Sequence, residues 1–544
     1  MRQHILVSVL AAAALAACGG GGGSSTDSQP AQTSTTIGGT AATGAAIAGA
    51  TVQAKCASGN GSATTGVDGR FTISIEGAVR PCVLSVSAPG GMTLHSVVES
   101  GADTTAVANI TPLTELIAAS IGGGSASGLF ASFDAAAQAK LTPTALTEVR
   151  SSVSLALTGI VDLSGIDPIK DTLVAANGST AGNALDQKLD ALGAALAKAR
   201  ITLAEVSSAL AASLGSAASV QTILQPAAAS CAGLRSGIYR ALDLTSGHTE
   251  LTRIDATALT VTYLSDNAVE SLTAQGSCQF TIDGAEPERL LVSKSGVTVV
   301  RDEASAAQPT VTLLLPEQTL PVSELAGTWN VLIYERASAG QPYRPGAVTL
   351  TLNAAGEFKA GMDCAGISAC VAWDALPGPI TADSRGGFKF TEVDGNVTRV
   401  FAFKAADGQL SLYMLDNIGF AVAAKQQPLS LPAVGLVRHF WDVSIGGTGY
   451  AAAIAEIANE VTTVDAAAQR YTRQRPSDGR MDTWEINKPR PGLSYRAAST
   501  TTTNTGTVLN LAEAIGMGLP GTGVSVYTSV AATQSFFGFS VSKP

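Results

Sequence analysis

Hydrophobic and polar positions divide the chain into three stretches with different periods. Between residues 38 and 110, segments such as "ATVQAKC", "GRFTISIEG" and "PCVLSVSAP" alternate apolar and polar residues, and turn-forming residues separate them. This pattern predicts short strands in a small β-sandwich. Apolar residues then recur at helical spacing from 111 to 225, and alternation returns from 226 to 544. The expected fold is therefore multidomain and mainly β, with an all-α segment between the sandwich and a large antiparallel β region.

The helical stretch carries its own start signals. Thr111, Thr142 and Thr202 each stand directly before an apolar periodic segment, and their hydroxyls can accept a hydrogen bond from the first turn. One helical face is lined by Leu185, Leu189, Leu192 and Leu196. The stretch predicts a bundle of four or five helices.

The final β region shows internal similarity. "LPVSELAGTWNVLIYE" and "LPAVGLVRHFWDVSIG" align Trp329 with Trp441, and the fainter "LRSGIYRALDL" places Tyr239 in the same position. Three consecutive barrel- or sandwich-like units are predicted, over 226–320, 321–431 and 432–544, each opened by a large aromatic residue that closes one end of its core. Whether these units are true repeats stays open.

Two motifs in the β segments resemble known families. Gly49-Ala50-Thr51-Val52 followed by "TGVDGRF" at 65–71 resembles the carboxypeptidase regulatory-like module of transthyretin-like fold, in which Asp68 and Gly69 form a turn. The resemblance implies a spacer or interaction domain without catalysis. "TPLTEL" after such a module is similar to uncharacterised β-proteobacterial lipoproteins. Gly327-Thr328-Trp329 resembles the opening of lipocalin-like barrels, which implies an apolar cavity of ligand size in the middle unit.

The N-terminus carries an export signal. Arg2 is followed by an uncharged run from Ile5 to Ala17, which is shorter than the roughly 20 residues needed to span a bilayer. Leu15-Ala16-Ala17-Cys18 resembles the lipobox of bacterial lipoproteins, and the alternative is an uncleaved signal. The resemblance implies removal of residues 1–17, acylation of Cys18, a flexible tether over 18–37 and attachment to the outer membrane.

Six further cysteines make an even set in an exported chain. Fifteen pairings are open, and order along the chain favours neighbours as disulfides: Cys56 with Cys82, Cys231 with Cys278, and Cys364 with Cys370. A zinc site is the rival interpretation, but no pair forms a CxxC motif, and we expect no metal and no cofactor.

Composition narrows the function. A net charge of −10 without clusters of Lys and Arg argues against nucleic acid as a partner. Charged residues are 14% of the chain against about 25% in average proteins, and no nucleophile elbow, metalloprotease or phosphate-loop motif occurs. Asp478 and Asp482 fall in "RPSDGRMDTWE", which reads as a charged surface loop.

We therefore expect a non-enzymatic, lipid-anchored envelope protein that binds an envelope protein or glycan. Its candidate binding residues are aromatic and arginine side chains in polar segments that read as loops. They are Tyr343, Arg344, Tyr471, Arg473 and Arg475. The alternatives are a lipocalin-like carrier of an apolar ligand, and an envelope glycan or peptide hydrolase without a recognisable motif.

Overall fold

The computed structural model describes residues 34–178, 180–213, 217–284, 287–303, 308–365, 367, 369–531 and 534–544. Cys18, its signal and residues 18–33 of the predicted tether lie outside the described residues, whereas residues 34–37, also predicted as tether, belong to the first strand. The chain is mainly β with a smaller helical part, and it contains closed barrels and a half-barrel, as the sequence pattern predicted. Among the described residues, no helix is long and apolar enough to cross a membrane.

The N-terminal strands form two facing sheets. The strands are β1 (Ser34–Thr40), β2 (Thr51–Ser58), β3 (Asn60–Thr64), β4 (Arg70–Glu76), β5 (Val79–Ser87), β6 (Thr93–Val98) and β7 (Thr105–Val107), with a 3₁₀ turn at Pro89–Gly91. One sheet has the order β4-β1-β7 and the other β3-β2-β5-β6. The turn before β4 is the predicted one, because Asp68 accepts a hydrogen bond from the Arg70 amide at 3.1 Å and Gly69 has a φ of 76°. The Cys56–Cys82 disulfide joins residues directly opposite on β2 and β5.

The described residues contain seven helices, and they do not form an independent bundle. They are α1 (Pro112–Gly122), α2 (Ala126–Ala131), α3 (Ala135–Ala139), α4 (Pro143–Ala156), α5 (Ala184–Ala199), α6 (Leu203–Ser213) and α7 (Ala218–Ile223). Thr111, Thr142 and Thr202 cap α1, α4 and α6 as predicted. α1 packs on α2, α4 and α6 and also on β6, so that the helices and the sandwich share one core.

The first unit of the large β region is a closed barrel. A short hairpin of β8 (Ala227–Ala228) and β9 (Cys231–Arg235) precedes it, and Cys231–Cys278 ties this hairpin to the barrel. The barrel strands are β10 (Gly237–Asp243), β11 (Thr249–Asp255), β12 (Thr260–Tyr263), β13 (Val269–Gly276), β14 (Gln279–Asp283), β15 (Glu288–Val292), β16 (Thr298–Asp302) and β17 (Val311–Pro316). Its interior is apolar around Tyr239, Phe280 and Leu290, but the same face also carries Tyr263, whose hydroxyl donates to Glu270 at 2.9 Å.

The middle unit is an open nine-stranded sheet. After a 3₁₀ turn at Val322–Leu325 its strands are β18 (Gly327–Glu335), β19 (Arg344–Leu352), β20 (Phe358–Ala365), β21 (Ala369–Ala372), β22 (Thr381–Ala382), β23 (Phe388–Thr391), β24 (Val397–Lys404), β25 (Leu410–Leu415) and β26 (Gly419–Lys425). The order β21-β20-β19-β18-β26-β25-β24-β23-β22 leaves β21 and β22 as edges. Cys364–Cys370 closes the β20–β21 hairpin.

The prediction of a lipocalin-like cavity in this unit is wrong. Trp329 is fully buried and donates its indole N–H to the Leu325 carbonyl at 2.9 Å. The inner face around it is filled by apolar side chains, among them Val331, Leu350, Phe388, Val400 and Leu412. A filled inner face leaves no room there for an apolar ligand, since protein cores pack as densely as organic crystals.

The last unit is a second closed barrel. It consists of β27 (Val437–Gly446), β28 (Ala455–Asp465), β29 (Arg470–Gln474), β30 (Met481–Ile486), β31 (Leu493–Arg496), β34 (Ala514–Leu519), β35 (Val524–Ser529) and β36 (Phe536–Ser542). A separate hairpin of β32 (Ser499–Thr502) and β33 (Val508–Leu511) is inserted between β31 and β34. Trp441 on β27 is buried, but on the outer face of its barrel, so the prediction that it closes the core of its own unit is wrong.

An aromatic cluster joins the middle sheet to the C-terminal barrel. The ring of Phe537 lies 4.9 Å from that of Phe420 and 5.8 Å from that of Tyr334, and Phe539 lies 5.3 Å from Phe537. All four rings are buried. The cluster belongs to one apolar core that also includes the first barrel, so the three β units are packed as one body.

This junction gives the first prediction. Phe537→Ala removes a fully buried ring and should lower the free energy of unfolding by about 3 to 5 kcal/mol. Val508→Ala truncates a side chain that is 64% exposed and should change stability by less than about 0.5 kcal/mol. Urea unfolding followed by tryptophan fluorescence measures both. Equal losses in the two variants would contradict the junction.

Candidate functional site: the charged interior of the C-terminal barrel

The C-terminal barrel holds a group of charged side chains on its inner face, whereas buried apolar side chains on its outer face pack against the middle sheet. Residues that lie directly opposite on neighbouring strands share a face. On β27 the buried Trp441, Val443 and Ile445 pack outward against the middle sheet, in the same core as Phe537. Asp442 lies between them in the alternation, so it faces the opposite way, into the barrel.

The central feature of this interior is a pair of arginines around one carboxylate. Arg473 donates from Nε and Nη2 to the two oxygens of Asp482, at 2.7 and 3.1 Å, and Arg496 donates from Nη1 at 3.3 Å. Both guanidinium carbons lie 5.3 Å from the ring of Trp484. Burial alone would raise the pKa of Asp482, which is 7% exposed, but the two arginines outweigh it and hold the pKa at about 2.

A second carboxylate lies further along the interior. Asp442 accepts hydrogen bonds of 2.7 Å from the hydroxyls of Tyr527 and Ser540. Burial raises the pKa of Asp442 above its ordinary value despite these bonds, and burial together with Asp442 raises the pKa of Tyr527. A Cβ at Gly538 would overlap the Tyr527 ring, so glycine on β36 makes the space that the tyrosine occupies.

The turn between β29 and β30 brings further arginines to one end of the barrel. Nη1 of Arg475 lies 3.6 Å from Oδ2 of Asp478, and the amide of Arg480 donates to Oδ1 of Asp478 at 3.0 Å. Burial, and then the charge of Arg475, lowers the pKa of Arg480. We call this end the arginine mouth, defined by Arg473, Arg475, Asp478 and Arg480.

The structure brings three of the five predicted binding residues together. Arg473 and Arg475 belong to the arginine mouth, and Tyr471 lies on the same inner face further along β29. Their predicted setting, an exposed loop, is wrong: Tyr471 and Arg473 lie on β29, and alternation turns them toward the barrel interior. Asp482 is likewise a strand residue rather than part of a surface loop, because it pairs with Arg473 across β29 and β30.

The other two predicted binding residues lie elsewhere. Tyr343 is 3% exposed, and its ring stacks on Tyr334 at 5.2 Å. Its amide donates to Gly447 in the C-terminal barrel and its hydroxyl to Thr245 in the first barrel, so it links three units. The prediction of an exposed Tyr343 is therefore wrong. Arg344 is exposed at the start of β19, opposite Glu335 on β18.

Glu335 belongs to a group of carboxylates at the rim of the middle sheet. Burial, and then the charges of Asp416, Glu392 and Asp363, raises its pKa to about 8. Burial also raises the pKa of Glu392 and Asp416. A protonated carboxyl beside further carboxylates is an arrangement found in acid–base catalysis.

Sequence reasoning missed Asp442, Arg496, Tyr527 and Ser540. The sequence carried little signal, because Asp442 occupies a polar position in an ordinary alternation with the apolar Trp441, Val443 and Ile445 of β27. Without the tertiary structure, that position is indistinguishable from a solvent-facing one.

Comparisons with known proteins give limited similarity. No protein-family model and no curated protein matches the chain. A protein of unknown function of the DUF3598 family from Nostoc punctiforme is 9% identical over 42% of this chain and 99% of its own, with a TM-score of 0.16. Intact Ap-TbpB, with its N and C lobes, is 8% identical over 55% of this chain and 66% of its own, with a TM-score of 0.15. A double mutant of the vaccine antigen transferrin-binding protein B of Haemophilus parasuis is 5% identical over 54% of this chain and 65% of its own, with a TM-score of 0.16.

The arginine pair around Asp482 predicts a specific acid sensitivity. Asp482→Asn leaves two buried guanidinium groups without their carboxylate and should cost about 3 to 5 kcal/mol at pH 7. Because the folded pKa lies near 2 and the ordinary value is 3.8, the wild-type carboxylate contributes fully above pH 4 and loses its contribution as pH falls toward 2. The difference in free energy of unfolding between wild type and Asp482→Asn should therefore shrink by about 2 kcal/mol between pH 4 and pH 2, as measured in urea titrations.

Glu485→Gln is the matched control for this experiment. Glu485 lies on the same strand but on the outer face, where its ion pair with Lys488 at 2.7 Å is partly exposed. Surface pairs contribute about 0 to 1 kcal/mol. A loss in this variant as large as that in Asp482→Asn would refute the assignment of the two faces.

The raised pKa of Glu335 predicts the opposite pH dependence. The folded chain keeps a proton that the unfolded chain releases above the ordinary value of 4.5, so stability falls as pH rises from about 4.5 to about 8. The free energy of unfolding of Glu335→Gln should therefore rise relative to that of wild type between pH 5 and 8, by at most about 1.4 kcal/mol per pH unit. Glu335→Asp keeps an ionisable group, so its stability relative to wild type should not rise with pH. Thermal unfolding at both pH values measures this, and a pH-independent difference would contradict it.

Proposed function

We propose that the protein is a non-enzymatic, lipid-anchored protein of the cell envelope that binds its ligand through the C-terminal barrel. The observation that carries this proposal is the barrel interior, in which Asp442, Arg473, Asp482 and Arg496 lie among apolar side chains such as Trp484. Replacing a buried ion pair with apolar residues is often neutral or stabilising. A barrel that retains charges inside therefore supports a role beyond stability.

Two further features support an envelope location. The sequence around Cys18 resembles a lipobox, and the proposed anchor is a lipid on this cysteine. The six cysteines of the described residues form three disulfides. Disulfides persist in oxidising compartments outside the cytoplasm. We therefore propose attachment to the outer membrane, facing either the periplasm or the exterior, with an envelope protein or glycan as partner.

The second candidate function is hydrolysis of an envelope glycan or peptide. The carboxylates around Glu335 favour it, because Glu335 with a pKa of about 8 would hold a proton to donate at neutral pH. Turnover of a panel of envelope glycans and peptides, lost in Glu335→Gln, would support hydrolysis. Activity that Glu335→Gln retains would not come from this group.

The anchor is tested by replacing its cysteine. Cys18→Ser cannot accept a diacylglyceryl group through a thioether, so the variant should leave the membrane fraction for the soluble fraction of the envelope. Mass spectrometry of the N-terminal peptide should find acyl chains on wild type only. A variant that stays in the membrane fraction would contradict lipid anchoring.

Binding is tested on the full-length lipoprotein in its native envelope. Extraction in mild detergent followed by mass spectrometry should recover a stoichiometric protein or glycan with wild type. Asp482→Asn should lose it if the barrel interior forms the site, whereas Glu485→Gln should retain it. Recovery of the protein alone would contradict the binding role.

A further inference from the structure

We propose that the arginine mouth binds an oxyanion, meaning the carboxylate or phosphate group of an acidic envelope ligand. This inference rests on the proposed binding function and names the ligand chemistry. It follows from the charge balance, the unused hydrogen-bond donors and the access at this end of the barrel.

The charge balance leaves positive charge at the mouth. Among the described residues around the mouth, Arg473, Arg475, Arg480 and Arg496 lie near three carboxylates, those of Asp442, Asp478 and Asp482. Asp482 is fully engaged by Arg473 and Arg496. Asp442 is held by the hydroxyls of Tyr527 and Ser540, and burial favours its neutral form. Arg475 and Arg480 are therefore left with Asp478.

The donors at the mouth are incompletely used. Nε of Arg475 is buried without a hydrogen-bond acceptor among the described residues. Its Nη1 is 3.6 Å from Asp478, which is an ion pair but too long for a good hydrogen bond. A buried donor without an acceptor costs free energy, and more when it is charged. An oxyanion placed between Arg475 and Arg480 would supply the missing acceptors.

The geometry of the guanidinium group fits this ligand class. Its planar fork matches the two oxygens of a carboxylate or phosphate, and hydrogen bonds between charged partners are about twice as strong as neutral ones. The side chains of Arg473 and Arg475 remain 26% and 23% exposed, so they are accessible from the mouth. A cationic ligand is disfavoured here, because it would meet the excess positive charge.

The test is calorimetric titration of the full chain with inorganic phosphate and, separately, with glucuronate, at low and at high salt. Wild type should bind at least one of the two anions, more weakly at high salt. Arg475→Gln with Arg480→Gln should weaken binding at least roughly tenfold, as expected for losing a charged hydrogen bond. Preference for phosphate would indicate a phosphorylated ligand, and preference for glucuronate an acidic glycan.

Arg470→Gln is the matched control. Arg470 lies on the same strand but on the outer face, 53% exposed and paired with Asp465, so its loss should leave anion binding unchanged. The urea midpoints of all variants report whether they are folded. Absence of binding of both anions at millimolar concentration, or equal binding by wild type and the double variant, overturns the proposal.

The same double variant separates this inference from the proposed function. If an envelope ligand is recovered equally with wild type and with Arg475→Gln/Arg480→Gln, the binding function stands and the oxyanion site fails. If no envelope ligand is recovered and neither anion binds, both fail.

Discussion

The apolar covering of both faces of the middle sheet is the constraint on which the β region depends. Phe420, Val422 and Ala424 of β26 point to one face, and Ala421 and Ala423 to the other, so every one of these positions is buried. One face is closed by its own curved sheet, and the other by the outer walls of the two barrels. The units therefore support one another, because an open sheet cannot bury two apolar faces alone.

The two barrels, which both pack on the middle sheet, differ in the side chains that fill their interiors. In the first barrel the interior is apolar around Tyr239 and Phe280 and carries carboxylates near Tyr263, which donates to Glu270. In the C-terminal barrel the outer wall supplies the apolar packing through Trp441, Phe537 and Phe539. Because the outer face supplies apolar packing, the interior can hold paired charges without loss of the fold. That interior is therefore the candidate site.

Local signals in the sequence predicted much of this structure. The capping threonines Thr111, Thr142 and Thr202 stand where the helices begin, since a cap needs only the hydroxyl and the first turn. The predicted pairing of neighbouring cysteines agrees with the structure. In two of the three pairs, the cysteines lie opposite each other on hydrogen-bonded strands that are close in sequence. Predictions that depended on distant contacts failed, as for Tyr343, whose polar neighbours in "QPYRPG" gave no sign of the two barrels that cover it.

The sequence by itself determined the class of fold, the starts of three helices, the turn at Asp68 and Gly69, and the aromatic residue in the first strand of each β unit. Each of these follows from the period of apolar residues or from atoms within a few residues. Only the tertiary structure decided which face of each strand is inside a barrel. Alternation separates two faces but does not say which one meets solvent, a neighbouring unit or a charged interior. Arg473 and Asp482 therefore read as a surface loop until the closed barrel brought them together inside it.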